Sequence, residues 1–340
     1  MEEKRSDKIS EYLIARLSDY VFDEFSDTYL EKAGLQNVLK GVPVPFRKDQ
    51  LTDPSTSAVK IAANMAFVIG CDRDFKYKEN YLAYIFRTFS KDFAKPLVNE
   101  GVEAGDRGEH EVACVYFRAA MEIDPDLIQA LACYGKACHD AFENGSGDEY
   151  IGCFKAESLH AFEQLTLKDP DNEMGYYYLG YAYLNLGLYM KAMLTFDEFM
   201  RVSKNQDLRG DVAGMLEKLE EPVIIEEGCN AIISGRYESG IDILSSYETD
   251  QNYNTWWPLW YYLGVAYREL GYINEAKERF LRVLNYSPSN IDAMERLIEI
   301  YTEQGDQEKA EKYRRKIQIV SRNAERDREM KRSAAGIDAS

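Results

Sequence analysis

Hydrophobic and small residues recur with a 34-residue period over about two thirds of the chain. In the clearest segment, 257–290, they occupy positions 4, 7, 8 and 11 and then positions 20, 24 and 27. At about 100° per residue each set lies on one face of a helix, and a glycine near position 15 permits a turn between the two helices. The pattern predicts stacked helix pairs. Its landmarks in this segment are Trp260, Leu263, Gly264, Tyr267, Gly271, Ala276, Phe280 and Pro288.

The same spacing divides residues 94–324 into six repeats. Small residues at positions 8 and 20 let the helix axes approach closely, and an aromatic residue at position 24 fills the space between them. One repeat contains about 11 extra residues around 143–150, inserted between or into its helices, and residues 207–220 fall between repeats. The six repeats are 94–127, 128–172, 173–206, 221–254, 257–290 and 291–324.

The spacing W-x2-L-G-x2-Y, A-x3-F and P in segment 257–290 resembles the tetratricopeptide repeat. The resemblance implies an all-α fold, an α-solenoid in which helix pairs form a right-handed superhelix. It also implies that the first helices of successive repeats line a concave groove for a protein partner, through positions near 2, 5, 6, 9, 12 and 13. The candidate groove residues are Lys136, His139, Met174, Tyr177, Tyr178, Tyr181, Asn185, Tyr261, Tyr262 and Arg268.

The tyrosine-rich groove favours an extended peptide or an amphipathic helix with hydrophobic anchors. No repeat carries the lysine at position 5 or the asparagine at position 9 that the family's carboxylate clamp requires. As an alternative, the chain's own N-terminal region or a tight closure of the superhelix covers the groove residues. Trp256 and Trp257, beside Pro258, are interpreted as packing between repeats rather than as a ligand cage.

Residues 1–93 do not follow the repeat spacing. A cap at Ser6 or Asp7 and apolar residues spaced by three and four predict a long amphipathic helix that ends near Gly34. Prolines between 41 and 54 predict an extended crossing, followed by a second helix that Ser55 or Thr56 opens. A third helix contains Tyr81, Tyr84, Ile85 and Phe89. We expect an α-helical region that caps the first repeat, or alternatively a separate recognition domain.

The C-terminal segment 309–332 contains ten basic and four acidic residues. This composition predicts the solvated face of a capping helix, or alternatively a docking surface for an acidic partner or RNA. Residues 325–340 are expected to form a basic helical extension and a flexible tail.

The chain as a whole is acidic, with a net charge of −18 and a pI near 4.8. This charge argues against a general binder of nucleic acid or anionic membranes. No segment is apolar and long enough to span a membrane, and the charged start lacks a secretory leader, so we expect a cytoplasmic protein. The six cysteines are interpreted as reduced thiols.

The sequence contains none of the common nucleotide-binding, zinc-protease or serine-hydrolase motifs. One cluster of possible metal ligands, Cys133, Cys138, His139, Cys153 and His160, is disfavoured because Cys133 and Cys138 project about 140° apart on a helix. We therefore expect no catalytic residue, no cofactor and no metal, and predict a non-catalytic protein-interaction scaffold. Two alternatives are a ligand-binding protein with a site between the N-terminal region and the first repeats, and a nucleic-acid regulator that acts through the basic C-terminal helix.

Overall fold

The structure, a computed structural model, describes residues 7–50 and 57–334 and consists mainly of paired helices. The predicted all-α class is therefore confirmed, with one small sheet as an addition. The chain divides into two compact units. Unit 1 holds the described residues up to Leu186 together with Leu194–Arg209, and unit 2 holds Gly187–Met193 together with the described residues from Gly210 onwards.

The N-terminal part of unit 1 combines short helices with two strands. These elements are α1 (Ser10–Leu13), β1 (Tyr20–Asp23), α2 (Asp27–Ala33), α3 (Gln36–Leu39), β2 (Val44–Arg47), α4 (Ala58–Cys71) and α5 (Lys78–Thr88). Short 3-10 turns occupy Ile14–Asp19, Lys48–Gln50 and Lys91–Phe93.

The repeat region follows as consecutive helix pairs. Its helices are α6 (Ala94–Asp106), α7 (His110–Ile123), α8 (Ile128–Asn144), α9 (Asp148–Lys168), α10 (Glu173–Asn185), α11 (Tyr189–Val202), α12 (Gln206–Ile233), α13 (Tyr237–Leu244), α14 (Trp257–Glu269), α15 (Ile273–Tyr286), α16 (Ile291–Glu303) and α17 (Gln307–Ala334). A further 3-10 turn at Ser245–Glu248 follows α13.

A glycine on the first helix faces an aromatic ring on the second helix in several repeats. A Cβ atom added to Gly264 would lie 2.8 Å from the Phe280 ring, and one added to Gly135 would lie 2.9 Å from Phe162. The turn between paired helices also uses glycine; Gly271, for example, adopts a φ of 84° that other residues rarely tolerate. The small and aromatic positions of the sequence pattern thus form the closest contacts within these pairs.

The extra residues of repeat 128–172 extend both of its helices. Helix α8 has 17 residues and α9 has 21, whereas α10 and α11 have 13 and 14. The connection stays short, at Gly145–Gly147, since α8 ends at Asn144 and α9 begins at Asp148. The insertion therefore adds helical turns rather than a loop.

The predicted long helix between Asp7 and Gly34 is wrong. Helix α1 ends at Leu13, a 3-10 turn follows through Asp19, and Tyr20–Asp23 then pairs antiparallel with Val44–Arg47. The Tyr20 ring also stacks on Phe67, at 5.4 Å between centroids. Strand pairing and aromatic packing with partners distant in sequence override the local helical preference. The spacing of apolar residues does not reveal such partners. Gly34 does end a helix, the short α2, with a φ of 66°.

The other N-terminal predictions are partly met. The proline-rich stretch contains the predicted extended chain, as strand β2, while Ser55 and Thr56 lie outside the described residues. Helix α4 begins at Ala58, where Ser57 accepts a hydrogen bond from the Lys60 amide. Helix α5 buries Tyr81, Tyr84 and Ile85 as the pattern predicts, but it ends at Thr88, so Phe89 lies just outside it. The N-terminal region and the first two repeats share one hydrophobic core.

Two helices are longer than the repeat spacing indicates. Residues 207–220 are not a separate linker but the first half of α12, which continues through Pro222 into repeat 221–254. Helix α17 begins in the last repeat and continues to Ala334, beyond the predicted repeat boundary at 324.

Candidate functional site

Four of the predicted groove residues form a continuous aromatic row on α8 and α10 in unit 1. His139 packs on Tyr178 with ring centroids 5.2 Å apart, Tyr178 contacts Tyr177 at 5.6 Å, and Tyr177 contacts Tyr181 at 5.0 Å. All four side chains are half-buried, so one face of the row remains accessible to solvent. We call His139, Tyr177, Tyr178 and Tyr181 the aromatic row.

Buried phenylalanines of α9 and α11 support the aromatic row from below. Phe162 stacks on Tyr178 at 5.0 Å, Phe199 lies 5.7 Å from Tyr177, and Phe196 lies 5.1 Å from Tyr181. Burial raises the pKa of Tyr178, which keeps its hydroxyl protonated. The row is therefore an aromatic surface that buried rings hold in place.

The remaining candidates of unit 1 lie around this row. Lys136 forms an ion pair with Asp140, and His139 lies 3.4 Å from the same carboxylate. Burial acts to raise the pKa of Asp140, but hydrogen bonds from His139 and Lys136 outweigh it and lower that pKa. Met174 is half-buried and Asn185 is exposed. The aromatic row is thus flanked by polar side chains, and Lys136 and His139 among them already interact with Asp140.

The unit 2 candidates lie on α14. Tyr261 packs against Tyr262 at 5.9 Å and against the buried Phe280 at 5.8 Å. Arg268 is bound to Glu303 in an ion pair, so it contributes a paired charge rather than a free cation. Tyr261 and Tyr262 both line a cavity of about 650 Å³.

This cavity, the tryptophan pocket, is formed by α12, the loop before α14, and α14, with further contributions from Gly187, Tyr189 and Asp292. Trp256 and Trp257 remain 37% and 36% exposed on its wall, and Ile233 is 67% exposed. The lining residues are Gly187, Tyr189, Pro222, Ile225, Glu226, Cys229, Asn230, Ile233, Asn252, Tyr253, Trp256, Trp257, Pro258, Tyr261, Tyr262 and Asp292.

The interpretation of Trp256 and Trp257 as packing residues is therefore incomplete. Both indoles line the open pocket, whereas Trp260, one turn further along α14, is the tryptophan buried in the core, 3% exposed. A signal for this difference was present in the sequence. Pro258 occupies the first turn of α14, so the two preceding aromatic residues fall at the start of the helix, outside its packing stripe.

A second cavity, of about 1000 Å³, lies within unit 1 between the N-terminal region and the first repeats. Its wall contains three arginines, each paired: Arg16 with Glu111, Arg47 with Asp49 at 3.0 Å, and Arg107 with Glu109 at 2.9 Å. His110 also lines it, and the buried Nδ1 of His110 has no hydrogen-bond partner among the described residues. We call this cavity the N-terminal cleft.

The cysteines lie mostly in apolar surroundings. Cys138 is buried on the core face, as its repeat position predicts, with its Sγ 3.7 Å from that of Cys114. Burial, followed by the charge of Glu226, raises the pKa of Cys229 in the tryptophan pocket to about 12. In the described part of the chain, no three His, Cys, Asp or Glu side chains are grouped to hold a metal ion.

The basic C-terminal segment lies on α17. Several of its cations are paired on the same helix or at its start: Lys309 with Asp306, and Arg314 and Arg315 with Glu311. Among residues 7–50 and 57–334, no helix combines the length and the apolar composition needed to cross a bilayer.

Two segments of the chain match sequence models described as tetratricopeptide repeat, at residues 161–193 and 258–290. The second match coincides with the helix pair α14 and α15. Among curated proteins, no sequence matches the chain significantly.

Solved structures of helical repeat proteins are similar to this chain. The TPR domain of P58(IPK) is 12% identical with a TM-score of 0.43, over 79% of this chain and 75% of that chain. MamA from Desulfovibrio magneticus RS-1 is 14% identical with a TM-score of 0.26, over 68% and 96%. YrrB, a TPR protein with an unusual peptide-binding site, is 16% identical with a TM-score of 0.27, over 60% and 91%.

Proposed function

Because the chain is a tetratricopeptide repeat protein, we propose that it is a non-catalytic scaffold that binds an extended peptide or a helix of a partner protein. Repeats of this family serve protein interaction in general. The observation that carries the proposal is the set of half-exposed aromatic side chains on first helices in both units, the aromatic row in one and Tyr261 with Tyr262 in the other. The cytoplasmic location remains a prediction.

Rigid tyrosines suit such a role for a physical reason. A tyrosine side chain offers a large contact area and a hydroxyl, and ordering it on binding costs little conformational entropy. The buried phenylalanines already hold these rings in place, so part of that cost is met before a partner arrives. A partner with apolar anchors would cover the exposed faces and leave the hydroxyls for hydrogen bonds.

A test combines peptide selection with two truncations. Peptides are selected on the wild-type chain from a display library, and their affinities are then measured for Tyr177→Ala and Tyr261→Ala. We expect each truncation to weaken the peptides bound at its own site by roughly tenfold or more. Since both rings rest on buried phenylalanines, melting should fall by a few degrees while the helical circular dichroism persists.

Tyr272→Ala is the matched control. Tyr272 is a 54% exposed tyrosine of unit 2 that lies outside the candidate groove. It should leave peptide affinity unchanged. If the library yields no binder, or if both groove truncations bind as the wild type does, the peptide-scaffold proposal fails.

The N-terminal cleft supports a second candidate function, the binding of a small polar ligand between the N-terminal region and the first repeats. Its volume and its paired charges of both signs suit a ligand that carries both charges. Thermal shift with a metabolite library should then find a compound that raises the melting temperature of the wild type. Arg107→Gln should abolish that rise and Arg201→Gln, outside the cleft, should keep it. A library without any stabilising compound would exclude this candidate.

A further inference from the structure

The lining of the tryptophan pocket in unit 2 is mainly aromatic and apolar, and its charged residues are acidic. Its walls include both exposed tryptophans and four tyrosines, while its charged lining residues, of those the structure describes, are Glu226 and Asp292. No lysine, arginine or histidine is among these lining residues. An apolar pocket with only negative charge is complementary to an apolar anchor next to a positive charge.

We propose that the tryptophan pocket binds a partner segment in which a bulky apolar side chain is flanked by lysine or arginine. The inference rests on the proposed scaffold function and identifies the class of partner at one of its sites. The pocket's volume of about 650 Å³ is large enough to accept an aromatic or branched aliphatic side chain together with its neighbours.

The two carboxylates are placed differently and would act differently. Glu226 is half-buried, and its Oε2 accepts a hydrogen bond of 2.7 Å from the Met190 amide, which holds the carboxylate against the apolar wall. Asp292 is exposed in the first turn of α16. A cation near Glu226 would gain from the reduced local dielectric, whereas one near Asp292 would be more strongly screened.

The aromatic walls add to this preference. The faces of tryptophan and tyrosine attract ammonium and guanidinium groups. The chain already uses this interaction internally, since the guanidinium of Arg282 lies 4.4 Å from the centre of the Trp260 ring. Arg296 interacts with Tyr261 and forms an ion pair with Glu299 at 3.3 Å, so a carboxylate already balances its positive charge.

The experiment compares three dodecapeptide libraries on the whole 340-residue chain. All share a central pair of randomised apolar residues, and the flanking residues are Lys and Arg, Ser and Gln, or Asp and Glu. We expect the basic library to bind roughly tenfold tighter than the neutral one, the acidic library to bind weakest, and the advantage to shrink as salt is raised.

Variants then locate the effect. Glu226→Gln and Asp292→Asn should each reduce the advantage of the basic library several-fold, and Trp257→Ala should weaken the basic and neutral libraries alike. Glu217→Gln is the matched control, because Glu217 is an exposed carboxylate on the same helix, α12, outside the pocket. Circular dichroism of each variant checks that the fold is retained.

The outcomes separate this inference from the proposed function. Binding without a charge preference, a preference for acidic flanks, or a basic preference that the pocket variants leave intact would overturn the inference while leaving the scaffold proposal standing. Absence of binding by all three libraries, together with failure of the display selection, would overturn both. Self-association of the wild type that Asp292→Asn abolishes would assign the pocket to the basic helix α17 of a second copy, against a partner segment.

Discussion

Replacing Gly70 with alanine is expected to lower the free energy of unfolding by about 3 kcal/mol. Gly70 lies on α4 where this helix meets α7, and an added Cβ would overlap the carbonyl oxygen of Val115 and lie 2.9 Å from both its carbonyl carbon and its Cγ1. The atom that an added methyl group would meet first belongs to the backbone of α7, which cannot rotate away as a side chain can. Two helices would have to move apart, within a core that the N-terminal region shares with the first two repeats.

Urea denaturation followed by circular dichroism measures this change, and hydrogen exchange in α4 and α7 localises it. Gly152→Ala is the control. Gly152 is exposed in α9, and an added Cβ would meet no neighbouring atom within 4 Å, so this substitution should leave the stability unchanged or raise it by up to about 1 kcal/mol. Gly264→Ala should fall between the two, because the Phe280 ring it would contact can shift. Equal stability of the Gly70 and Gly152 variants would contradict the close helix contact.

Asp7→Ala is expected to destabilise the protein by about 2 to 3 kcal/mol, although Asp7 lies near the start of the chain. Its carboxylate pairs with Arg118, whose side chain is 0% exposed on α7. The Nη2 of Arg118, which contacts Asp7, also donates to the Ser10 hydroxyl at 2.9 Å. The Nε and Nη1 of Arg118 have no hydrogen-bond partner among the described residues. Loss of Asp7 would leave a buried cation without its counter-charge.

A double mutant distinguishes this cause from lost packing. Asp7→Ala with Arg118→Met removes both charges and keeps an unbranched apolar chain in the core, so it should recover most of the stability. Glu109→Ala, which breaks an exposed pair with Arg107, should leave stability unchanged within error. A double mutant as unstable as Asp7→Ala alone would show that the ion pair is not the source of the loss.

The candidate site was only partly predictable. The repeat positions predict that Tyr177, Tyr178 and Tyr181 lie near one another on one helix, and their rings are in contact in the structure. The repeat pattern assigns Trp256 and Trp257 to no site, because they stand at the start of α14, outside its packing stripe, and their exposure depends on the cavity that α12 and α14 leave open. Arg268 was expected in the groove as a contact residue, and the structure pairs it with Glu303.

The 34-residue period is enough to predict the helix pairs, their turns and their glycine–phenylalanine contacts. These features repeat every 34 residues and depend on neighbours within one repeat, so periodicity reveals them. Three features emerge from the folded chain alone: Tyr20–Asp23 forms a strand, Asp7 pairs with the buried Arg118, and two tryptophans line a pocket. These features depend on groups that lie far apart in the sequence or on a cavity left open between helices. Such long-range contacts and cavities leave no local pattern in the sequence.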